Sequence, residues 1–285
     1  MQQRKLGRTG QKLSVVGFGG LVANKEEPAA LARIVGEAVN RGVNYFDVAP
    51  EYGQAEELLG PALAPYRRKV FLSCKTLERS AEGAARELKR SLVRLRTDHF
   101  DLYQLHGISK MEEVKRVLSP GGALETVIKA RKDGLVRFIG FSAHSEEAAI
   151  ALMDGFDFDS LMFPINWVCW HRGHFGPRVL THAGKKGVGV IALKALAKTR
   201  CTDWNKRKWN KCWYEPFDTP AEAELSLRFT LGKPVTVAVS PSHAELLWLE
   251  CDAAEKFRPL NPEEERELIR RSRVIEPIFK VSAEP

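Results

Sequence analysis

The chain has 285 residues, of which 44% are hydrophobic and 28% charged, and its formal net charge is +8. A single α/β barrel typically takes ~250 residues, so one domain spanning residues 1–285 is the simplest interpretation. No apolar run approaches the ~20 residues that cross a bilayer, and residues 1–10 are polar and basic with no hydrophobic segment behind them. We expect a cytoplasmic protein with no membrane partner, and with no nucleic-acid partner because no nucleic-acid-binding motif accompanies the positive charge.

The predicted elements begin with a hairpin over residues 4–16, in which Leu6 leads into a glycine-bounded turn and apolar residues resume at Leu13. Helix-like and strand-like segments alternate from there on. Helices are predicted over residues 29–40, 56–63, 80–95, 123–132, 146–153, 177–186, 221–231, 244–254 and about 262–273, the last leading into a tail that ends at 285. Strands are predicted over residues 43–46, 70–72, 100–105, 138–141, 161–163, 188–193 and 235–239.

Strands that alternate with helices imply parallel strands joined by crossovers, so the pattern predicts a (β/α)8 TIM barrel behind an N-terminal β-hairpin. A doubly wound open sheet is the main alternative, but residues 17–20 (GFGG) lack the GxGxxG spacing that it needs. Two connections are long, residues 166–176 after the sixth strand and residues 194–219 after the seventh. Both follow the C-terminal ends of strands, so we expect both on the active face of the barrel.

The five cysteines are odd in number and far apart in sequence, which predicts free thiols in a reducing compartment. There is no CxxC pair, so neither a zinc nor an iron–sulfur site is predicted. His171 and His174 are spaced to share a helical face, but no third ligand with suitable spacing is evident. We therefore expect no bound metal.

Four polar side chains fall at the ends of successive predicted strands. Asp47 ends the second strand, Lys75 the third and His106 the fourth, and Tyr52 lies in the loop just beyond Asp47. Each residue alone is more often structural, for example as a helix cap, a packing aromatic or a solvated charge. In a barrel, however, all four converge on one rim, where they form a recognisable set for proton transfer.

This set suits the reduction of a carbonyl group. A free phenol has a pKa near ~10, and a neighbouring ammonium such as Lys75 stabilises the phenolate of Tyr52 and lowers that pKa. Asp47 would hold Lys75 charged, while His106 would orient the substrate oxygen and donate a hydrogen bond to it. Protein groups cannot supply hydride, so a nicotinamide cofactor is predicted.

The residues around this set resemble a known family. Residues 42–53 (GVNYFDVAPEYG), with Glu56 and residues 59–60, closely resemble the aldo-keto reductase signature. Residues 70–75 (VFLSCK), 101–106 (DLYQLH) and 134–142 (GLVRFIGFS) are similar to that family's third, fourth and fifth strands. The resemblance implies an NAD(P)H-dependent oxidoreductase that reduces an aldehyde or ketone, or catalyses the reverse reaction, with Tyr52 as general acid. It also implies a barrel closed below by the hairpin.

The resemblance further implies NADP(H) as the cofactor, with NAD(H) as the alternative. It places the following residues at the cofactor: Gly20, Ser142, Asn166, Leu193, Lys194, Leu196, Ser240, Ser242 and Glu250. Ser142 matches the serine that holds the carboxamide, and Lys194 occupies the position of the pyrophosphate loop. Several positions depart from the family pattern, because Leu247 stands where an arginine often binds the 2′-phosphate and Cys251 where an asparagine often contacts adenine.

Aromatic residues are concentrated in the two long connections, which contain Trp167, Trp170, Trp204, Trp209 and Trp213. This concentration predicts a wall for the pocket of a small-molecule carbonyl or alcohol substrate. The basic residues between 194 and 219 predict a lid over the cofactor or over an acidic substrate. Two other functions remain open: a non-catalytic barrel that binds the cofactor as a sensor or accessory subunit, and a metal-dependent barrel hydrolase.

Overall fold

Within the part of the chain that the structure describes, residues 1–281 of a computed structural model, eight parallel strands close into a barrel as predicted. The strands of the chain are β1 (Gln3–Lys5), β2 (Lys12–Ser14), β3 (Val16–Gly19), β4 (Tyr45–Asp47), β5 (Phe71–Thr76), β6 (Phe100–Ile108), β7 (Val136–Ala143), β8 (Ser160–Pro164), β9 (Gly189–Leu193), β10 (Ala197–Arg200), β11 (Tyr214–Pro216) and β12 (Val237–Val239). The barrel runs in order from β3 to β9, and β12 closes it by pairing with both β9 and β3.

Helices cover the outside of the barrel. In chain order they are α1 (Pro28–Asn40), α2 (Ala55–Leu63), α3 (Ala81–Arg94), α4 (Met111–Leu118), α5 (Ala123–Lys132), α6 (Glu146–Gly155), α7 (Trp167–His171), α8 (Pro177–Lys186), α9 (Pro220–Leu231), α10 (Ala244–Glu255) and α11 (Pro262–Ser272). The sequence pattern does not indicate α4, α7 or the antiparallel pair β10–β11, and it merges β2 with the first barrel strand. Otherwise each predicted element is present.

The N-terminal hairpin of β1 and β2 plugs one end of the barrel, which confirms the expectation. Leu6 and Leu13 are fully or almost fully buried among the inward-facing side chains of the barrel strands. Gly7 has a φ of +45° and lies so close to Gly189 in β9 that an added Cβ would collide with its backbone. The side chain of Thr236 also donates to the carbonyl of Lys5, 3.0 Å away. Only the opposite end of the barrel is left open.

Alternation of side chains along the strands decides which residues reach that open end. In β5, Phe71 belongs to the cluster inside the barrel and Leu72 to the layer beneath the helices. Lys75 is four residues beyond Phe71 and therefore shares its inward face. Asp47 at the end of β4 pairs with Ser73, and Lys75 pairs with Gln104 in β6, so Asp47, Lys75 and His106 all share the inward face.

Arg228 in α9 anchors the C-terminal helix α11. Its guanidinium is buried, and it donates to both oxygens of Glu264 in α11 at 2.9 and 2.6 Å. It also donates to the carbonyls of Arg258 and Pro259, at 2.9 and 3.1 Å. This anchor matters for the open end of the barrel because the segment after α11 carries Phe279, which stacks there on His144.

We expect Glu264→Gln to lower the free energy of unfolding by about 1–3 kcal/mol at pH 7, because a buried guanidinium loses its carboxylate. Arg228 lowers the pKa of Glu264 to about 2. A carboxylate with a lowered pKa stabilises the fold above its ordinary pKa and loses that contribution as the pH falls towards the folded-state value. Urea unfolding should therefore show that the difference between variant and parent shrinks between about pH 5 and pH 2.

The control is Glu267→Gln, which removes an exposed ion pair with Arg270 on the same helix. It should change stability little, because exposed pairs contribute little. An equal loss in both variants would contradict the anchoring role of Arg228.

Candidate active site

A buried ion pair lies at the open end of the barrel. The side chains of Lys75 and Asp47 are 1% and 3% exposed, and the Lys75 ammonium contacts the Asp47 carboxylate. Burial acts to lower the pKa of Lys75, but the charge of Asp47 outweighs it and the net effect raises the pKa. The lysine therefore remains charged although it is removed from water.

Two further side chains fix the orientation of Asp47. The Tyr45 hydroxyl and the Gln104 side-chain amide each lie 3.3 Å from its second carboxylate oxygen and donate to it. The same amide of Gln104 also donates to the Ser73 hydroxyl at 2.9 Å. Because all of these residues come from β4, β5 and β6, the position of the ion pair depends on the register of three neighbouring strands.

Tyr52 lies beside this ion pair. The Lys75 ammonium donates to its hydroxyl across 3.4 Å. Gly53 follows with a φ of +63°, and an added Cβ there would collide with Asn24, so the turn that presents Tyr52 requires glycine. Burial raises the pKa of Tyr52 to about 12, with Asp47 and Glu51 also raising it and Lys75 lowering it.

The sequence-based expectation for this phenol is thus only partly met. Lys75 acts in the expected direction on the pKa of Tyr52, but burial outweighs it. The consequence is a phenol that keeps its proton at neutral pH.

His106 is paired with a residue that the sequence reasoning missed. The Glu51 carboxylate contacts Nδ1 of His106. Burial lowers the pKa of His106, while Glu51 partly offsets this effect. The ring of Tyr52 meets the imidazole edge-on, with 6.0 Å between the ring centres. The only sequence signal for Glu51 was its place next to Tyr52.

Three of these residues, Asp47, Tyr52 and His106, line a cavity of about 240 Å³. They form one polar part of its wall, at the C-terminal ends of β4 and β6 and in the loop after β4. Its apolar side is formed by Met162, Leu193 and Val239, which come from β8, β9 and β12 across the barrel. The cavity thus places a proton-transfer group opposite an apolar surface, a combination that suits a small organic ligand.

Some of the predicted cofactor residues line this cavity and others do not. Those in its wall are Gly20, Leu193, Lys194, Ser240 and Ser242. Those outside the wall are Ser142, Asn166, Leu196 and Glu250.

Three of the residues outside the wall, Ser142, Asn166 and Leu196, are buried. The Ser142 hydroxyl accepts from the amide of Gly107 at 2.8 Å. The Asn166 side-chain oxygen caps α7 by accepting from the amide of Cys169 at 2.9 Å, while its Nδ2 has no partner within residues 1–281. The carbonyl of Leu196 accepts from the amide of Phe217. Contact of these three residues with a cofactor stays a prediction.

Glu250 differs from these because it has no partner. It is fully buried, and neither carboxylate oxygen has a hydrogen-bond partner within residues 1–281. Burial raises its pKa well above the ordinary value. Tyr214 lines the cavity, and its pKa is raised by burial first, then by Cys212, and then by Glu250. Leu247 and Cys251, expected to face the cofactor, are instead fully buried in the core.

Of the tryptophans expected to wall the pocket, Trp213 is in the cavity wall. The other four lie elsewhere. Trp167 is buried in a separate cluster, where its indole donates to the Ser226 hydroxyl at 3.0 Å. Trp170 packs edge-on against Phe229 of the same region.

The remaining two tryptophans belong to the outer part of the connection after β9. Trp204 is 55% exposed. Trp209 donates to the Asp218 carboxylate at 2.9 Å. Each is fixed by a partner close to it in sequence, so their concentration in the sequence did not correspond to one site.

The connection between β9 and α9 covers the cavity. Its strands β10 and β11 pair, and Lys211 between them donates to the carbonyls of Val22 and Asn24, at 3.0 and 3.1 Å. Lys211 also forms a 2.9 Å ion pair with Glu26. Those three residues lie after β3, which only β12 separates from β9, so the contacts hold the connection over the β9–β12–β3 side of the cavity mouth. Whether the connection opens and closes as a lid stays a prediction.

We expect Lys211→Met to loosen this connection, because one substitution removes three polar contacts. Chymotrypsin should cleave the connection faster in the variant than in the parent, and mass spectrometry would locate the cut within residues 194–219. Lys206→Met is the control, because Lys206 is 86% exposed and pairs only locally with Asp203. Equal cleavage in the parent and both variants would show that Lys211 does not hold the lid.

Residues 1–281 contain neither a metal-binding cluster nor a membrane-spanning helix. No group of three or more His, Cys, Asp or Glu side chains in this part of the chain could hold a metal ion. All five cysteines are free and buried. The described helices include none with the length and apolar character needed to cross a membrane.

Comparison with known proteins identifies the family. Residues 15–247 match the model of the aldo/keto reductase family. The chain belongs to this family. It is therefore an oxidoreductase, and the family generally binds NAD(P)H.

Its relatives have varied activities. L-galactose dehydrogenase of Arabidopsis thaliana is 27% identical over 261 residues, which cover 83% of this chain and 78% of that protein. An uncharacterized oxidoreductase of Bacillus subtilis is 32% identical over 157 residues, 50% of this chain and 49% of that protein. A 6-dehydroglucose reductase of Novosphingobium aromaticivorans is 31% identical over 172 residues, 52% of this chain and 54% of that protein. The chain thus spans about half the length of the Bacillus subtilis oxidoreductase and of the Novosphingobium aromaticivorans reductase.

The fold is also found in solved structures. An aldo-keto reductase of Bacillus halodurans in its holo form superposes with a TM-score of 0.75 at 23% identity, and the match covers 95% of this chain and 96% of that one. A putative aldo-keto reductase of Pseudomonas aeruginosa gives a TM-score of 0.72 at 22% identity, over 89% of this chain and 94% of that one. At this level of identity the likeness establishes the barrel and leaves the substrate open.

Proposed function

We propose that this chain reduces an aldehyde or ketone to an alcohol, or catalyses the reverse reaction, with NADP(H) as cofactor and Tyr52 as general acid or base. One observation carries the proposal. The Tyr52 hydroxyl lies 3.4 Å from an ammonium group, Lys75, which a buried carboxylate keeps charged. This arrangement allows a proton to leave the phenol because the phenolate would form next to a fixed positive charge.

The residues present fit a nicotinamide dinucleotide. The apolar side of the cavity offers a surface for an uncharged ring, opposite Tyr52. Ser240 and Ser242 line the cavity just before α10 begins, and the free amides of a helix N-terminus favour phosphate. The two unpartnered oxygens of Glu250 suit an amine such as that of a nucleobase. When bound, the cofactor supplies the hydride that no side chain can supply.

The side chains of this chain then perform the proton transfer. Tyr52 donates its proton to the oxygen of the carbonyl as negative charge develops there, and Lys75 stabilises the resulting phenolate. Asp47 keeps Lys75 charged and in place. Burial raises the pKa of Tyr52 to about 12, so the phenol carries its proton at neutral pH and has it available to donate. His106, positioned by Glu51, orients the substrate oxygen.

We expect Tyr52→Phe to reduce kcat for aldehyde reduction about 100- to 10,000-fold, because the ring is kept and only the proton donor is lost. Cofactor binding, measured by fluorescence titration, should be nearly unchanged. A panel of aldehydes assayed at the nicotinamide absorbance band gives the rates. Turnover that survives the substitution would remove Tyr52 from the mechanism. No turnover in the parent, with cofactor bound, would favour a sensor or accessory subunit.

We expect NADPH to bind more tightly than NADH, as the family resemblance implies. The factor should be modest, because the buried Leu247 stands where an arginine often binds the 2′-phosphate. Quenching of tryptophan fluorescence during titration with each cofactor would give the two Kd values. Trp213→Phe serves as the optical control, because Trp213 is in the cavity wall. Equal Kd values would refute the preference for NADPH but not the need for a nicotinamide.

A further inference from the structure

Lys194 lines the cavity and has an uncommon backbone conformation. It directly follows β9 and has a φ of +61°, a left-handed conformation that is uncommon for a residue with a side chain. Its ammonium lies 3.4 Å from Nε2 of His144. It is also 5.7 Å from the ring centres of both Trp213 and Phe279. The charge of this partly buried lysine is thus flanked by one imidazole and two aromatic rings.

The direction of this side chain separates it from the segment expected to bind phosphate. In the barrel, β8 lies between β7 and β9, and β12 lies on the other side of β9. His144 follows β7, whereas Ser240 and Ser242 follow β12. The ammonium of Lys194 therefore extends towards β7 and away from the serines, although its sequence position resembles that of the pyrophosphate loop.

Lys194 also lacks the counterion that the other cations of the cavity have. Lys75 is paired with Asp47, and Lys211 with Glu26. No carboxylate within the described residues 1–281 lies within 4.0 Å of the Lys194 ammonium. Burial, the leading cause, lowers its pKa to about 8. A partly buried ammonium without a counterion is costly unless an anion joins it.

We propose that Lys194 and His144 bind a carboxylate of the substrate, so that the substrate is an aldehyde or ketone that also carries an acid group. This proposal rests on the proposed function, because it places the acid group in the same cavity as Tyr52. Trp213 and Phe279 flank the ammonium and exclude water from it, which strengthens its attraction for an anion. They also provide apolar contact for the body of the substrate between its two polar ends.

An anion at Lys194 has two sources, the substrate carboxylate or a phosphate of the cofactor, and matched substrates distinguish them. The probes are 4-carboxybenzaldehyde and 4-oxobutanoate, each compared with its methyl ester. The ester keeps the reacting carbonyl, adds one methyl group and removes the charge. For at least one pair, the parent should show a kcat/KM roughly 10- to 100-fold higher for the acid than for the ester, the contribution typical of a hydrogen bond to a charged group.

Lys194→Met should abolish that preference. We expect its kcat/KM for the acid to fall by roughly the same 10- to 100-fold, while its kcat/KM for the ester and its Kd for NADPH stay close to those of the parent. His144→Phe keeps an aromatic ring against Phe279 and should lower the preference by a smaller factor. Lys198→Met is the control on the same connection, because Lys198 lies outside the cavity wall. It should leave both substrates unaffected.

Two results would overturn the proposal. One is a parent that uses the esters as well as the acids. The other is a Lys194→Met variant that binds NADPH more weakly and slows acid and ester equally, which would assign Lys194 to the cofactor.

Failure of the proposed function would look different, because neither acid nor ester would then be reduced. In that case, binding would still test the subsite. Fluorescence titration of the cofactor-free parent with benzoate and with benzamide should show tighter binding of the anion, and Lys194→Met should remove the difference. Equal binding of benzoate and benzamide by the parent would reject the subsite without any assay of turnover.

Discussion

The burial of Lys75 against Asp47 is the constraint on which the rest of the active end depends. Removing two charges from water costs several kcal/mol for each, and the cost is offset only when each charge has a partner at close range. Asp47 has three, because Tyr45 and Gln104 donate to the oxygen that Lys75 leaves free. A shift in the register of β4, β5 or β6 would break this set, so the barrel must close correctly before the site can exist.

The same constraint explains the chemical state of Tyr52. Its hydroxyl lies next to a positive charge that is already neutralised by a carboxylate, so the pair lowers the pKa of the phenol less than a free lysine would. Burial then dominates and the phenol keeps its proton. In the proposed reaction this phenol would give its proton as negative charge develops on the substrate oxygen.

The sequence predicted the barrel, which follows from hydrophobic periodicity, and the residues that lie at the ends of its strands. Asp47, Lys75 and His106 could be placed together because inward residues at the C-terminal ends of parallel strands must converge. The pKa of Tyr52 could not be predicted, because burial is a property of the folded loop. Glu51 was missed for the same reason, since its contact with His106 joins a loop to a strand 55 positions along the chain.

The concentration of tryptophans in the two long connections did not predict which of them line the cavity. Two of the tryptophans there donate to partners outside the cavity, Trp167 to Ser226 and Trp209 to Asp218, and only Trp213 of the five lines the cavity within the described residues. The cofactor residues show a related effect. Ser240 and Ser242 reach the cavity because they follow a strand end, whereas Ser142 still lies within β7 and bonds to the neighbouring backbone.

The hairpin plug separates residues that stabilise the barrel from residues that face the cavity. Because Leu6 and Leu13 fill one end of the barrel, substitutions near them act on stability alone and never meet a ligand. Recognition is left to the connection after β9 and to the segment that carries Phe279, neither of which contributes a barrel strand. Exchange of those two segments would leave the register of the barrel strands intact, so it would change the lining of the cavity without rebuilding the barrel.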